Sequence, residues 1–531
     1  MAMRLAAVVA VVVYVMLIEY SAAGAMYSSR LVHRFSDEVR KHRESRNGDV
    51  GTAGAWPERR SSGYYRSLIS SDASRRQKMK LGPKFQLVFP SQGSKTLPLG
   101  NEFGWLHYTW IDIGTPHVSF LVAVDAGSDL LWLPCDCIQC APLSSSYYSS
   151  LDKDLNEYDP SGSNSSKYLS CSHELCEKSS SCKTSKQPCP YTVNYYSDAT
   201  STSGLLVEDI IHLTSNKNNV SNNSLRAAII LGCGSKQSGS YLNGVAPDGL
   251  MGLGPGEISV PSRLAKAGLA RDSFSLCFKE DDSGRIFFGD QGISNQQTTP
   301  FLLSDGKYVT YVVGVETCCV DTTCLQQTSF KALVDSGTSF TFLPNEIYDK
   351  VVQEFNRQVN AAKTRFDGYP WEYCYKSSSK GLPKVPLLAL NFGSNNSFVV
   401  QDPIVAIYGT QGLAGFCLAV QPIEGDMGII GQNFMTGYRM VFDRENQKMG
   451  WSRSDCHDFA DDTESGSNGR LPNPLPAIEQ ANASGNHGGS PAAVGGSTPS
   501  KANAIIKHQL YLANLFLLSL LSSHNPFRTF L

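Results

Sequence analysis

The chain has 531 residues, of which 41% are hydrophobic and 18% are charged, and its formal net charge at pH 7 is −2. This composition excludes a disordered chain, and the length is sufficient to bury a core in each of two lobes. A nucleic-acid partner is also disfavoured, because the excess positive charge lies in one segment without a recognisable binding motif.

Residues 1–25 are typical of a secretory signal peptide. Arg4 precedes an apolar run at residues 5–18, and small residues at 23–25 provide a cleavage site. A membrane-anchor helix is the alternative, but the run is shorter than the ~20 apolar residues that a bilayer requires. We therefore expect this segment to direct export and to be removed.

Residues 26–97 form a basic segment. Positions 26–95 carry 15 Lys and Arg residues against 6 Asp and Glu residues, a net charge of +9, whereas residues 96–460 carry −11. Opposite charges of this size attract at neutral pH, and the attraction weakens when carboxylates are protonated. We therefore expect a propeptide that covers an acidic cleft and leaves on acidification; a solvated linker is the alternative.

The first motif with chemical meaning follows a predicted β-hairpin. Residues 107–116 alternate apolar and polar side chains and stop at a turn, and the apolar residues 118–124 then lead into Asp125. After Asp125, Gly127 permits a sharp backbone turn and Ser128 can donate a hydrogen bond to the carboxylate.

The same device recurs in the second half of the chain, where an apolar run ends at Asp335 and continues as Ser-Gly-Thr, with Gly337 and Thr338 in the equivalent positions. Two such loops facing each other form a carboxylate pair that shares one proton, because like charges about 3 Å apart cannot both ionise cheaply. One Asp then activates water and the other protonates a carbonyl, which hydrolyses an amide. This chemistry needs no metal and no cofactor.

Apolar runs that end in glycine follow these motifs, at Gly232, Gly252 and Gly431. In this order the motifs resemble the pepsin-like aspartic proteases, most closely their atypical, cysteine-rich plant branch, over residues 97–456. The resemblance implies an all-β-dominated, bilobal fold with the active-site cleft between two β lobes. It also implies that each glycine-ended run crosses behind a catalytic loop.

The same resemblance supplies the boundaries and the site. It places the lobes at residues 98–298 and 299–456, and it makes Asp125 and Asp335 the catalytic dyad. Ser128 and Thr338 then hydrogen-bond the outer carboxylate oxygens, and Gly127 and Gly337 support the turns.

A flap over the cleft is also implied. Residues 191–196, a polar tip and a strand from residue 205 have the shape of a mobile hairpin, and the spacing to Gly204 favours Tyr196 over Tyr195 as the flap tyrosine. Trp132 is expected to support that tyrosine. Aromatic packing in the core is the alternative for all three side chains.

Three positions depart from the family pattern. Ala126 and Ser336 stand where the family commonly has Thr, whose hydroxyl reaches across to the opposite loop, and Ser197 stands where the flap usually has glycine. Ala126 has no hydroxyl to donate. The missing hydrogen bond should cost roughly 0.5–1.5 kcal/mol of stability between the lobes. These departures keep open a catalytically weak or inactive binding protein.

Fifteen cysteines after an export signal predict a disulfide framework, and their odd number requires an unpaired or intermolecular thiol. Pairing of Cys135, Cys137 or Cys140 with the cysteines of an insertion at residues 171–189 would staple that insertion to the first lobe, and Cys374 with Cys417 is the preferred pair in the second. Zinc is the rival interpretation of the first three, disfavoured by export and by the lack of well-spaced histidines.

Other local patterns complete the body. Residues 345–359 predict an amphipathic helix with Asn345 as its N-cap. Five N-x-Ser/Thr triplets in polar surroundings are candidate glycosylation sites: Asn164, Asn219, Asn222, Asn395 and Asn482.

The C-terminal composition changes after Cys456. Residues 457–504 are polar and lack periodicity, which predicts a disordered stalk, and residues 505–531 contain an apolar tail. Small residues, a short spacer and that tail fit a GPI-anchor signal. A transmembrane span and a merely sticky terminus are the alternatives.

The sequence therefore predicts a monomeric aspartic endopeptidase made as a zymogen and acting on polypeptide substrates. A GPI lipid would hold it at the extracellular face of the plasma membrane. The alternative is a catalytically weak or inactive pepsin-like binding protein at the same surface.

Overall fold

The computed structural model describes residues 26–41, 56–78, 107–140, 157–176, 182–194, 201–214, 224–243, 246, 248–303, 310–377, 383–409 and 412–456. Strands dominate these ranges, so the predicted all-β class is confirmed. No helix within them is long and apolar enough to span a bilayer.

The strands of the described residues, in chain order, are β1 (Tyr27–His33), β2 (His107–Ile113), β3 (Val118–Asp125), β4 (Leu131–Gln139), β5 (Lys167–Tyr168), β6 (Pro190–Asn194), β7 (Ser201–Thr214), β8 (Ser224–Ser238), β9 (Leu250–Gly252), β10 (Ser273–Phe278), β11 (Gly284–Phe288), β12 (Gln297–Pro300), β13 (Val312–Val315), β14 (Thr317–Val320), β15 (Thr323–Cys324), β16 (Phe330–Val334), β17 (Thr341–Pro344), β18 (Lys363–Thr364), β19 (Cys374–Lys376), β20 (Leu388–Phe392), β21 (Asn396–Val400), β22 (Ile404–Gly409), β23 (Gly412–Leu418), β24 (Val420–Ile423), β25 (Met427–Ile430), β26 (Tyr438–Asp443) and β27 (Lys448–Arg453). Apart from a helical stretch at residues 37–41, the α-helices of the described residues are α1 (Ser62–Lys78), α2 (Val260–Lys266), α3 (Asn345–Gln358) and α4 (Gln432–Met435).

Fourteen strands form the largest sheet. Their order is β12-β27-β26-β10-β11-β1-β2-β3-β9-β4-β8-β7-β5, with β6 beside β7. Three smaller sheets have the orders β13-β16-β25-β17-β24, β15-β14-β20-β21 and β18-β19-β23-β22. β1 therefore lies inside the largest sheet, between β2 and β11, although it belongs to the basic N-terminal segment.

Strands β3, β10 and β26 are buried along most or all of their length. Continuous burial of this kind is typical of a strand that is covered on both faces. The main hydrophobic cluster extends from β3 to β16 and β25 and includes the stacked rings of Phe274 and Phe442, whose centroids lie 4.7 Å apart. The two halves of the body thus share one core.

One strand arrangement occurs twice. In the first half β3 is parallel to β9, β9 is antiparallel to β4, and β4 is parallel to β8. In the second half β16 is parallel to β25, β25 is antiparallel to β17, and β17 is parallel to β24. The repeat places the ends of β3 and β16 in equivalent positions. Residues 228–232 belong to β8, which lies beside β4. The prediction that this run crosses behind the first aspartate loop was therefore wrong, and β9 makes that crossing instead.

The helix predicted after the second motif is α3, which buries Ile347, Val351, Val352 and Phe355 on one face. Its N-cap is Pro344 and not Asn345, so the predicted cap was wrong. The reason is that β17 runs to Pro344 and leaves no connecting residue, which makes Asn345 the first helical residue.

Seven disulfides confirm the predicted framework: Cys135–Cys233, Cys137–Cys140, Cys171–Cys182, Cys176–Cys189, Cys277–Cys456, Cys319–Cys324 and Cys374–Cys417. The unpaired thiol belongs to Cys318, whose burial raises its pKa to about 12.

The pairing predicted for Cys374 and Cys417 is confirmed, because these residues lie opposite each other on β19 and β23. The predicted pairing between Cys135, Cys137 or Cys140 and the insertion was wrong. The insertion at residues 171–189 forms two disulfides within itself. Cys135 lies next to Cys233 of the neighbouring strand β8, with a distance of 4.9 Å between their Cα atoms. All three cysteines of the rival zinc interpretation are therefore bound in disulfides.

Several predicted segments lie outside the described residues: the signal peptide at 1–25, the stalk at 457–504, the tail at 505–531, Tyr195, Tyr196, Ser197, Asn219, Asn222 and Asn482. Asn164 and Asn395 are described, and both are exposed. They remain candidate glycosylation sites.

Candidate active site

Asp125 is the last residue of β3, and the turn after it fixes both of its carboxylate oxygens. Oδ1 accepts a hydrogen bond from the Gly127 backbone N–H at 2.9 Å, and Oδ2 accepts one from the Ser128 hydroxyl at 2.6 Å. The residue is only 6% exposed. A carboxylate held by two donors in this way has a fixed orientation.

Asp335 follows β16 and has the same surroundings. The Gly337 N–H donates to Oδ1 at 2.9 Å, the Thr338 hydroxyl donates to Oδ2 at 2.6 Å, and the residue is again 6% exposed. The supporting contacts predicted for the two motifs are thus present in both loops.

A strand crosses behind each loop and holds its backbone. The Leu253 N–H donates to the Asp125 carbonyl at 2.8 Å, and the Asp335 N–H donates to the Ile430 carbonyl at 3.1 Å. At the end of each crossing strand, Gly252 and Gly431 allow a close approach that a side chain would block.

Replacing either crossing glycine by alanine is expected to destabilise the fold. A Cβ atom at Gly252 would lie 2.6 Å from the Ser128 carbonyl oxygen, and one at Gly431 would lie 2.7 Å from the Phe340 carbonyl carbon. Because backbone must move in both cases, we expect a loss of about 1–3 kcal/mol or more, measured as a lower thermal midpoint. Gly314→Ala is the matched control, since its Cβ would meet only Leu302 at 3.7 Å. Equal thermal midpoints for all three variants would contradict the claim that the crossing strands require glycine at residues 252 and 431.

The position after each aspartate differs from the family pattern as noted above. Ala126 is 5% exposed and belongs to the main hydrophobic cluster, and Ser336 is 6% exposed. The first loop therefore presents the Ala126 methyl group to the core at the position where the family commonly has a threonine hydroxyl that bridges the loops.

Trp132 is fully buried on β4, and its ring packs against Tyr241 with centroids 4.7 Å apart. The base of the predicted flap is an antiparallel pair, in which Asn194 of β6 lies opposite Ser201 of β7. Because Tyr196 lies outside the described residues, its contact with Trp132 stays a prediction.

The N-terminal segment reaches the second loop through Asp72 of α1. Its Oδ1 accepts from the Ser339 N–H and its Oδ2 accepts from the Phe340 N–H, both at 3.0 Å, and Asp72 is 2% exposed. Ser339 directly follows Thr338. Sequence reasoning missed Asp72, because a single acidic residue in a basic segment carries no local signal.

Aromatic contacts hold the rest of α1. The Tyr65 ring lies 6.4 Å from Phe340 and 5.4 Å from Trp371, measured between centroids. Arg59 pairs with Asp282 at 2.5 Å, and the Tyr64 hydroxyl donates to the same carboxylate. The described contacts of α1 and the residues before it thus combine aromatic packing with a charged contact.

A buried histidine pair joins the segment to the body. His33 on β1 lies opposite His107 on β2, with ring centroids 5.3 Å apart and exposures of 5% and 4%. Burial holds the pKa of His33 well below its usual value, with His107, Arg34 and Arg59 adding repulsion. Burial likewise lowers the pKa of His107 to about 4. Both rings are therefore neutral near pH 7.

Family models described as Xylanase inhibitor N-terminal and Xylanase inhibitor C-terminal match residues 107–290 and 311–453. Aspartic proteinase-like protein 1 of Arabidopsis thaliana is 57% identical over 485 residues, which cover 90% of each chain. Aspartyl protease family protein 1 of the same plant is 41% identical over 433 residues, which cover 80% of each chain. The crystal structure of Basic 7S globulin from soybean matches with a TM-score of 0.50 at 18% identity, covering 67% of this chain and 95% of that one.

The repeated strand arrangement and the paired Asp-x-Gly-Ser/Thr loops define the pepsin-like class, and the soybean structure supports the bilobal all-β fold. Identity to the two Arabidopsis proteins extends well beyond these loops. The chain belongs to the plant branch of the pepsin-like aspartic protease family.

Proposed function

We propose that this protein is an aspartic endopeptidase in which Asp125 and Asp335 form the acid–base pair. The observation that carries the proposal is the matched environment of the two carboxylates, each with one backbone N–H and one hydroxyl on its oxygens. A single such turn is common in β proteins, whereas two copies at the ends of equivalent strands are specific.

The hydroxyls of Ser128 and Thr338 donate to Oδ2 of each carboxylate, and we place the shared proton and the water molecule on the Oδ1 side, where each glycine N–H also donates. The ionised carboxylate takes a proton from the water as its oxygen attacks the peptide carbonyl carbon, and the protonated carboxyl gives its proton to the carbonyl oxygen. The tetrahedral intermediate then collapses. Its C–N bond breaks as the nitrogen receives the proton that the first carboxyl took from water, and a hydroxyl of the intermediate returns a proton to the second carboxylate as the new carboxylic acid forms, so each carboxyl acts once as base and once as acid.

The substrate is proposed to be an extended polypeptide lying between the lobes. The β6–β7 hairpin would close over it, with Tyr196 at the tip and Trp132 behind, because a closed lid excludes water from the reacting groups. The lobes are proposed at residues 98–298 and 299–456.

Residues 26–97 are proposed to be the propeptide of a zymogen. Asp72 occupies two backbone donors beside the second loop, which supports a blocking role for α1. Secretion through residues 1–25, GPI anchoring directed by a signal tail at residues 505–531 and a monomeric state are proposed with it. The 14 disulfide-bonded cysteines are consistent with an oxidising compartment.

The test is cleavage of a denatured protein by the purified full chain after acidification. We expect peptide products at acidic pH, and we expect a statine-type transition-state inhibitor such as pepstatin to suppress them. Absence of products across pH 3–7 (roughly the range in which carboxyl pairs titrate) would contradict the proposal, provided that released propeptide is detected in the same sample.

A binding protein is the second candidate. The matching family models are described as xylanase inhibitor domains, and Ala126 removes one expected bridge between the loops. In that case the chain would lower the rate of an added xylanase without cutting protein. Measuring both rates on one preparation separates the two candidates.

A further inference from the structure

Tyr311 is fully buried where the two halves of the body meet. Its ring packs against Phe442 of β26 at 4.8 Å and against Phe274 of β10 at 5.8 Å, measured between centroids. These contacts leave the ring one position, so the directions of its hydroxyl and of its backbone carbonyl are both fixed.

The Tyr311 hydroxyl donates a hydrogen bond to the Leu253 carbonyl at 2.6 Å. The N–H of Leu253 in turn donates to the Asp125 carbonyl at 2.8 Å. Tyr311 is therefore linked, through one intervening residue, to the backbone of the first aspartate.

The backbone carbonyl of Tyr311 accepts a hydrogen bond from the Val334 N–H at 2.9 Å. Val334 is the last residue of β16 and precedes Asp335. One residue thus connects the ends of both catalytic strands, although these strands belong to different sheets.

We propose that Tyr311 is a positioning residue that keeps the two aspartate loops at a fixed separation, supplying the connection that Ala126 cannot make. This inference rests on the proposed endopeptidase function. It explains how the site keeps its geometry with a methyl group where relatives have a hydroxyl.

The expected consequence of losing the connection is a change in rate more than in binding. A carboxylate pair that shares a proton works only at a defined separation, and small displacements of reacting groups are costly. Substrate contacts along an extended peptide are distributed over the cleft, so they depend little on one loop.

The test uses Tyr311→Phe in the full chain, which keeps the ring and removes the hydroxyl. We expect kcat per active site to fall about three- to tenfold, the range expected for one lost hydrogen bond, with KM nearly unchanged and the pH–rate profile displaced. Active sites are counted by titration with a tight-binding inhibitor, so that misfolded protein does not enter the rate.

Tyr375→Phe is the matched control, because this tyrosine is also almost fully buried and its hydroxyl donates to Asn356 at 3.0 Å and not to a residue of either loop. Its kcat and pH profile should equal those of the parent.

Adding Ala126→Thr to Tyr311→Phe should restore part of the lost rate, because the threonine hydroxyl provides another bridge. A merely structural role would lower the number of active sites without changing kcat.

Hydrogen exchange supplies a readout independent of activity. In Tyr311→Phe we expect faster exchange of amides in both aspartate loops, and in Tyr375→Phe we expect neither. If the parent is active and Tyr311→Phe matches it in kcat, pH profile and exchange, the positioning role is wrong while the proposed function stands. If the parent shows no hydrolysis, the exchange comparison alone decides whether Tyr311 connects the loops.

Discussion

Asp125→Asn is expected to abolish peptide hydrolysis while the fold remains. The variant removes a group that must act as both acid and base, and such groups contribute about 10²–10⁴-fold each to the rate. The amide is nearly the same size as the carboxyl, and its oxygen can still accept from the Gly127 N–H. The Ser128 hydroxyl can rotate and accept from the new NH₂ group. We expect the same result for Asp335→Asn, measured as product formation at acidic pH.

Asp321→Asn is the matched control. Its carboxylate also accepts a backbone N–H, but from Leu387 at 2.7 Å and not from a residue of either aspartate loop. Its backbone has a φ of 47°, a conformation that asparagine tolerates. The control should keep parental activity. Parental rates in both loop variants would mean that hydrolysis, if any, resides elsewhere in the protein.

Acidification is expected to release the N-terminal segment, and the His33–His107 pair sets the pH range. Both histidines have pKa values below the usual value of about 6.5 while β1 is paired with β2, and that of His107 is about 4. The released state therefore binds more protons than the paired state below pH 6.5. The equilibrium constant for pairing of β1 with β2 is therefore highest above pH 6.5. It falls as pH drops toward 4, by about tenfold per pH unit for each histidine.

The neighbours of the pair offer protonated rings little compensation. Arg34 donates to the Ser67 carbonyl, and Arg59 is bound to Asp282, which also accepts from Tyr64. The His107 Nε2 lies 3.3 Å from the Asp282 carbonyl, while no described residue hydrogen-bonds its Nδ1. Two cationic rings 5.3 Å apart would therefore repel each other inside the sheet.

The measurement is cleavage of the segment by an added protease between pH 4 and 7 (roughly the histidine range), in the Asp125→Asn background so that self-cleavage does not contribute. His107→Phe should roughly halve the slope of release against pH on a logarithmic scale, because phenylalanine keeps the contact with Phe278 and cannot be protonated while His33 still titrates. His117→Gln, at an exposed position, should behave as the parent. If His107→Phe keeps the full pH dependence while added salt shifts it, charge attraction and not the histidine pair controls release.

Short-range patterns predicted the parts of this protein that depend on neighbouring residues. The β2–β3 hairpin that ends at Asp125 is present, as are the supporting contacts of Ser128 and Thr338. Alternation, apolar runs and turn residues carry this information locally. The resemblance added the bilobal fold, which no local pattern contains.

Contacts between distant segments were not predictable in the same way. Asp72 and Ser339 are separated by 267 positions, and nothing near either residue indicates the other. The disulfides of the insertion show the same limit, because cysteine spacing permits many pairings and only the folded backbone selects one. The strand β1 was missed because its basic surroundings in the sequence masked a short strand.

The disulfide between Cys277 and Cys456 ties the last described residue to β10. A cut anywhere beyond that cystine leaves every described strand and both aspartate loops in one continuous polypeptide. If the protein is lipid-anchored, shedding from the cell surface would therefore yield a diffusible form with unaltered chemistry, and a single proteolytic event would change where the protein acts without changing what it does.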